Sequence, residues 1–238
     1  MSELPNAQTG GPHFEFEALS RATNYRAALL REFSPFLRGR VLEVGAGAGQ
    51  FTTEMSRLAA IQELVVVEPN PHLCERIRQL RLPRDLVEGT VGTLAADFEC
   101  DAIVSVNVLE HIADDEAELA AYRTLLGRAS GCLCLFVPAR PEIYAPIDRD
   151  FGHYRRYTRP ELSRKLRAAG FTILRLHYFN SVGYLAWWFS FGVLKKRRFS
   201  PGAVAFFDRF ILPFMHRLEC TVLRPAFGQS LVAVATAL

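Results

Sequence analysis

Four side chains stand where this chain could do chemistry: Glu43, Glu68, His111 and His153. Each carboxylate sits in or at the end of an apolar run, Val41 to Val44 and Leu64 to Val67, and such an acid can pair with an ammonium or accept two hydroxyl hydrogen bonds. The histidines follow later apolar runs, and an imidazole titrating near neutrality suits removal of a proton from a hydroxyl. Each has a plainer role open to it. A solvated loop acid would explain Glu68, a helix cap His111, and an ordinary polar loop residue His153.

The elements that must position these groups are legible around them. Arg40-Val41-Leu42-Glu43-Val44-Gly45-Ala46-Gly47-Ala48-Gly49-Gln50-Phe51 reads as a buried strand, a glycine turn and a helix start, with Phe51, Met55 and Leu58 on one helical face. Glycines let backbone approach a ligand closely, and the first helical amides point at it. Glu68-Pro69-Asn70-Pro71 ends the next strand, where doubly wound sheets grip a ribose. A dinucleotide loop would need its third glycine at position 50, which is Gln50, and its pyrophosphate would meet Glu43; S-adenosylmethionine, with an ammonium and a sulfonium, fits that charge.

The string Glu43-Val44-Gly45-Ala46-Gly47-Ala48-Gly49 resembles the signature of class I S-adenosylmethionine-dependent methyltransferases. Asp101 to Ile112, Asn24-Tyr25, Gly152 to Thr158 and Phe227 to Leu231 extend the resemblance over nearly the whole chain, toward bacterial small-molecule methyltransferases, some associated with glycosyltransferases of lipid-linked sugars. The resemblance implies S-adenosylmethionine as cofactor and S-adenosylhomocysteine as product, with the glycine loop beside the cofactor's amino-acid part and Glu68 on the ribose. The implied cofactor set is Tyr25, Glu43, Gly45, Ala46, Gly47, Gly49, Glu68, Pro69, Thr90, Asn107, Val108 and Leu109. Thr90 stands where many relatives carry an acid for the adenine amine. His111 and His153 are the candidate proton acceptors, and Tyr154, Arg155, Tyr157, Trp187 and Trp188 the candidate substrate contacts. Of Arg155 and Arg156, neighbours in an extended segment, at most one is expected to reach an anionic substrate.

Alternating strands and helices predict an α/β fold, and the resemblance makes it Rossmann-like: a doubly wound seven-stranded sheet with helices on both faces and a helical insertion between the last two strands. Helices are expected near 18–37, 49–60, 71–80, 115–126 and 159–169, and strands near 41–45, 64–68, 84–88, 101–106, 131–137, 171–178 and 231–237. Residues 1–17 read as a flexible lead and 18–238 as one domain, of sufficient apolar content, 50%, to bury one core. A formal charge of +3 does not suggest nucleic-acid binding. Five cysteines without a Cys-x-x-Cys pair, and a start lacking signal-peptide character, lead us to expect a reduced, cytoplasmic setting.

Residues 180–225 replace what the family would join by a short hairpin. Ser181 to Leu194 holds both tryptophans and precedes Lys195-Lys196-Arg197-Arg198; fourteen residues fall short of the roughly twenty needed to span a bilayer. A cap over the substrate, a homodimer contact and peripheral contact with the inner membrane face all remain open. Asn107-x-x-Glu110-His111 departs from the Glu-x-x-Glu-His pattern of metal-assisted O-methyltransferases at its first acid, so no metal is expected. The expected function is methyl transfer to oxygen or nitrogen of a small or lipid-linked acceptor. Alternatives are a silent S-adenosylmethionine-binding module that docks a membrane or protein, and an NAD-dependent oxidoreductase.

Overall fold

A computed structural model describes residues 22–82, 85–127, 131–198, 200–219 and 225–237. The lead expected over 1–17 lies outside the described residues. Seven strands run β1 (Gly39–Val44), β2 (Ile61–Glu68), β3 (Asp85–Glu88), β4 (Ala102–Val106), β5 (Cys132–Pro138), β6 (Phe171–Phe179) and β7 (Ser230–Ala237), in the order β3-β2-β1-β4-β5-β7-β6. The first five are parallel and β7 runs antiparallel to both neighbours. The order reverses between β1 and β4, so the C-terminal ends of those strands open a crevice there.

Alternation along the strands builds two cores, and on the central strands neither face meets water. Leu42, Val44, Ile103, Leu133 and Leu135 pack one way with Leu119, Tyr122, Leu162 and Leu166. Val41, Val66, Val104, Cys134 and Phe136 pack the other way with Leu29, Phe33, Phe51 and Met55. Two covered faces explain the near-continuous apolar strands.

Helix α1 (Thr23–Phe33) stops earlier than its apolar pattern suggests, because Pro35 cannot donate its backbone N–H and the chain tightens into a 3₁₀ turn over Ser34–Phe36. Helix α2 (Gln50–Met55) is also shorter than expected, and β2 begins at Ile61, three residues before its apolar run. Helix α3 (Pro71–Gln79) starts as predicted: Asn70 Oδ1 accepts from the amides of His72 and Leu73, and Pro71 needs no partner at the first position. Helices α4 (Asp115–Leu125), α5 (Pro146–Asp150) and α6 (Arg159–Ala168) follow, the last opened by a reciprocal Thr158–Glu161 capping box.

The insertion is helical in its described part. Helix α7 (Ser181–Trp187) runs into a π turn over Trp188–Val193; α8 (Pro201–Phe206) passes through a second π turn, Phe207–Ile211, into α9 (Leu212–Leu218). Its two ends are tied at one buried carboxylate, since Glu219 accepts from the amides of Asn180 (3.2 Å) and Ser181 (2.7 Å). Its inner side adds a small core of Trp187 and Phe191 against Ile143, Ala145 and Ile147.

Candidate cofactor cleft and histidine cluster

The glycine loop between β1 and α2 is held by the sheet and by its neighbours. Gly45, Gly47 and Gly49 all have positive φ, at 71°, 57° and 75°. A β-carbon on Gly45 would lie 2.4 Å from Val108 Cγ2, so the absence of a side chain lets this loop touch the loop after β4. One on Gly49 would lie 2.6 Å from Leu80 Cδ1, so this glycine serves the packing of α2 against α3. Gly47 turns its amide to Glu68, donating to Oε2 at 2.8 Å. The amide of Asn70 takes the other oxygen at 2.9 Å. These bonds fix the carboxylate, and each oxygen keeps a lone pair for an incoming hydroxyl.

Glu43 lies deeper, 4% exposed, and accepts a 2.5 Å hydrogen bond from Thr52 Oγ1. Burial, with a contribution from the charge of Glu68, pushes its pKa up to about 7. Burial also raises Glu68, against the two amide hydrogen bonds that lower it. A cleft of about 400 Å³ opens over both acids. It is bordered by Tyr25, the glycine loop, Pro69, Asn107, Val108, His111, Asp150 and Phe151. Two desolvated carboxylates beside exposed loop backbone suit a ligand with an ammonium at one end and a diol at the other, which S-adenosylmethionine has.

The expected residues divide accordingly. Tyr25, Glu43, Gly45, Ala46, Gly47, Glu68, Pro69, Asn107 and Val108 border the cleft together. Leu109 is fully buried in the core and Gly49 faces α3, so neither side reaches the cleft. Thr90 is exposed after the edge strand β3, outside the cleft lining, with its carbonyl taken by Thr93.

His111 is the histidine that meets the cleft. Its ring is crowded behind by His153, with centroids 4.7 Å apart and planes nearly perpendicular. Desolvation and then His153 hold the His111 pKa well below the usual imidazole range, while a hydrogen bond to the Gly152 backbone opposes this. His153 does not line the cleft. Its Nδ1 is 3.1 Å from Asp148 Oδ1, and Asp148 also binds Arg156 and accepts from the amide of Ala145. Glu110 is buried beside the pair, 3.9 Å from His153 Nε2. Donor atoms of Glu110, His111 and His153 lie within 4.8 Å of one another, so these three could hold a metal ion. Judging a metal from the position of Asn107 overlooked His153, which joins only through the fold.

The expected substrate contacts all lie outside the cleft lining. Tyr157 is completely buried, its hydroxyl donating to Asp115 at 2.8 Å; a phenol locked in the core cannot meet substrate. Arg155 pairs with Asp115 at 2.8 Å and donates to the Ala113 carbonyl, and Arg156 is buried on Asp148, so both guanidiniums serve the scaffold. Trp187 is 7% exposed, its ring 4.4 Å from the Arg156 guanidinium, and donates to the Ile143 carbonyl, which makes it a wedge on the inner side of the insertion. Tyr154 and Trp188 are exposed but outside the cleft lining. Sequence reasoning missed Asp150 and Phe151, although they adjoin the Gly152-His153 segment. It also missed Asp208, which accepts from the amides of Asn24 (3.0 Å) and Tyr25 (2.8 Å) and so anchors the cleft wall to the insertion.

Comparison with known proteins supplies the family. A family model described as a methyltransferase domain matches residues 13–176. Ubiquinone biosynthesis O-methyltransferase of Cereibacter sphaeroides is 29% identical over 160 residues, 60% of this chain. The match spans 64% of that relative, a little under two thirds of its length. The protein of that name from Azotobacter vinelandii is 25% identical over 67% of this chain and 75% of its own. Among solved structures, an S-adenosylmethionine-dependent methyltransferase of Archaeoglobus fulgidus superposes with a TM-score of 0.60 at 18% identity, covering 94% of this chain and 99% of that one. The N-methyltransferase NodS of Bradyrhizobium japonicum, in complex with S-adenosylhomocysteine, gives 0.60 at 15%, covering 96% and 93%. The last two share the fold. With its glycine loop, strand order and family match, the chain belongs to the class I S-adenosylmethionine-dependent methyltransferases.

Proposed function

We propose that this protein transfers the methyl group of S-adenosylmethionine to a hydroxyl oxygen of an apolar or lipid-linked small molecule, with His111 as the acceptor of the hydroxyl proton. The bound cofactor supplies an electrophilic methyl on a sulfonium, open to in-line displacement. Glu43 would hold the ammonium end and Glu68 the ribose hydroxyls, while Gly45 and Gly47 would present backbone rather than side chains to the ligand. Asn107, with φ of 53°, and Val108 shape the wall after β4. The hydroxyl approaches along the side bordered by His111, Asp150 and Phe151, and alignment there is the protein's main contribution to rate.

The observation carrying the role of His111 is its place on the cleft lining, together with Asp150 and Phe151. The ring stays neutral, and a hydrogen bond from one nitrogen to the Gly152 backbone leaves the other as an acceptor. Oxygen as the target atom rests on the relatives named for O-methylation. Glutamine at His111 should lower transfer of labelled methyl into organic-extractable acceptors by about 10² while cofactor affinity stays near normal. Unchanged turnover removes the proton-acceptor role. A second reading comes from the Glu110, His111 and His153 cluster: a divalent ion there would align the hydroxyl instead. Full turnover after exhaustive chelation upholds the first reading; lost turnover restored by added zinc or magnesium upholds the second.

A further inference from the structure

Among the described residues, the insertion carries most of the large apolar side chains left exposed. Leu185, Trp188, Phe189, Val193 and Leu194 on the first helical segment are 49–53% exposed, and Phe206, Phe210 and Phe214 on the second are 58–70% exposed. Aromatic side chains exposed to this degree along two adjoining segments have a partner more often than not.

The charges on the same segments are sorted. From Ser181 to the end of the chain the sequence has only two acids, Asp208 and Glu219. Both are buried, at 4% and 6% exposure. Asp208 binds the start of α1, and Glu219 closes the base of the insertion. The basic residues are placed oppositely: Lys195, Lys196, Arg198 and Arg209 are all exposed. The outward side therefore offers aromatic rings and cations, and the Asp150 carboxylate that meets the basic run is paired with Arg197. A second copy of this chain would set cations against cations, whereas an anionic lipid surface takes the rings at the headgroup boundary and the cations on its phosphates. No helix among the described residues is long and apolar enough to cross a membrane, which leaves contact at one surface.

We propose that the outward side of the insertion is a docking surface for a bilayer carrying anionic lipid. Two contacts connect it to the cleft rim. Arg197 Nε donates to Asp150 at 2.8 Å, and Asp208 holds the amide of Tyr25; Asp150 and Tyr25 both border the cleft. Docking thus brings the cleft rim to the lipid surface, where an acceptor with an apolar tail would be found. The surface stands independently of methyl transfer, because vesicle binding requires no turnover.

The test is co-sedimentation of the full chain with phosphatidylcholine vesicles, with and without phosphatidylglycerol. Retention on the anionic vesicles at low salt, weakening as salt is raised, is expected. A triple change of Lys195, Lys196 and Arg198 to Glu should weaken that partition on the order of a hundredfold or more. Phe210→Ser with Phe214→Ser should weaken it at every salt concentration. Each variant is checked for folding by its melting curve and by S-adenosylhomocysteine binding, which these surface changes leave intact. No retention of the wild type at low salt overturns the proposal, and so does retention unchanged in folded variants. Self-association abolished by the phenylalanine changes, without vesicle binding, would instead assign the surface to a second copy.

Discussion

Glu43, proposed to hold the cofactor's ammonium, is costly to ionise in the folded protein. Its pKa rises from 4.5 in the unfolded chain to about 7 in the folded one, chiefly by burial. Sign follows from that direction: the folded state binds its proton more tightly, so stability is highest below 4.5 and declines as pH rises through 7. Glu43→Gln cannot ionise, so it should stabilise the free protein at pH 8 by on the order of 2–3 kcal/mol, read from denaturant melts, and not at pH 4. The same change should weaken S-adenosylhomocysteine binding, because a neutral amide no longer opposes the ammonium. In the wild type, that affinity should fall as pH drops below about 7, by at most tenfold per unit. Equal stability of the two proteins at pH 8 would show that the folded carboxylate carries no such cost. His111 has the opposite displacement, so at saturating cofactor the acid limb of kcat should lie below 6.5, the ordinary histidine value. A limb at or above that value would assign the proton to another group.

At the scale of elements, buried ion clusters hold the loops that shape the site. Asp115, at the first turn of α4, takes both oxygens to Lys165 of α6, at 2.5 and 2.7 Å, and also receives Tyr157 and Arg155. Burial raises its pKa, but hydrogen bonds from Lys165, Tyr157 and Arg155 outweigh this and leave it lowered. Its stabilisation is therefore present above the unfolded value of 3.8 and is lost as pH falls below it. Asp115→Asn would leave the nearly buried Lys165 ammonium only the exposed Glu116 carboxylate, 3.8 Å away, costing about 3 kcal/mol in a denaturant melt. A loss under about 1 kcal/mol would mean that the cluster is as solvated as a surface pair. These pairs explain which parts of the site were legible. The glycine loop, the strand-end acids and the capping box are written in adjacent residues, whose geometry is set locally. Arg155, Tyr157 and Trp187 depend on Asp115 and Ile143, forty or more residues away, and only the assembled fold shows that the scaffold uses them.

For the molecule as a whole, the sheet was readable because its central parallel strands are buried on both faces and several helices begin at a local signal, as at Asn70, Asp114 and Thr158. The insertion was visible as excess length and as aromatic content. Its sorted charge was not, since a sequence lists Asp208 and Glu219 beside the basic residues without showing that both point inward. The family match removes the oxidoreductase alternative. The claim on which the rest depends is that the cleft over Glu43 and Glu68 is the cofactor site. Isothermal titration calorimetry of S-adenosylhomocysteine into the wild type and into Glu68→Ala tests it most directly, with NAD as control. The account predicts saturable binding by the wild type, no heat from NAD, and a loss of about 1.5–3 kcal/mol in the folded variant, the range for hydrogen bonds to a charged group. Undiminished affinity in folded Glu68→Ala, or binding of NAD in place of S-adenosylhomocysteine, would contradict it.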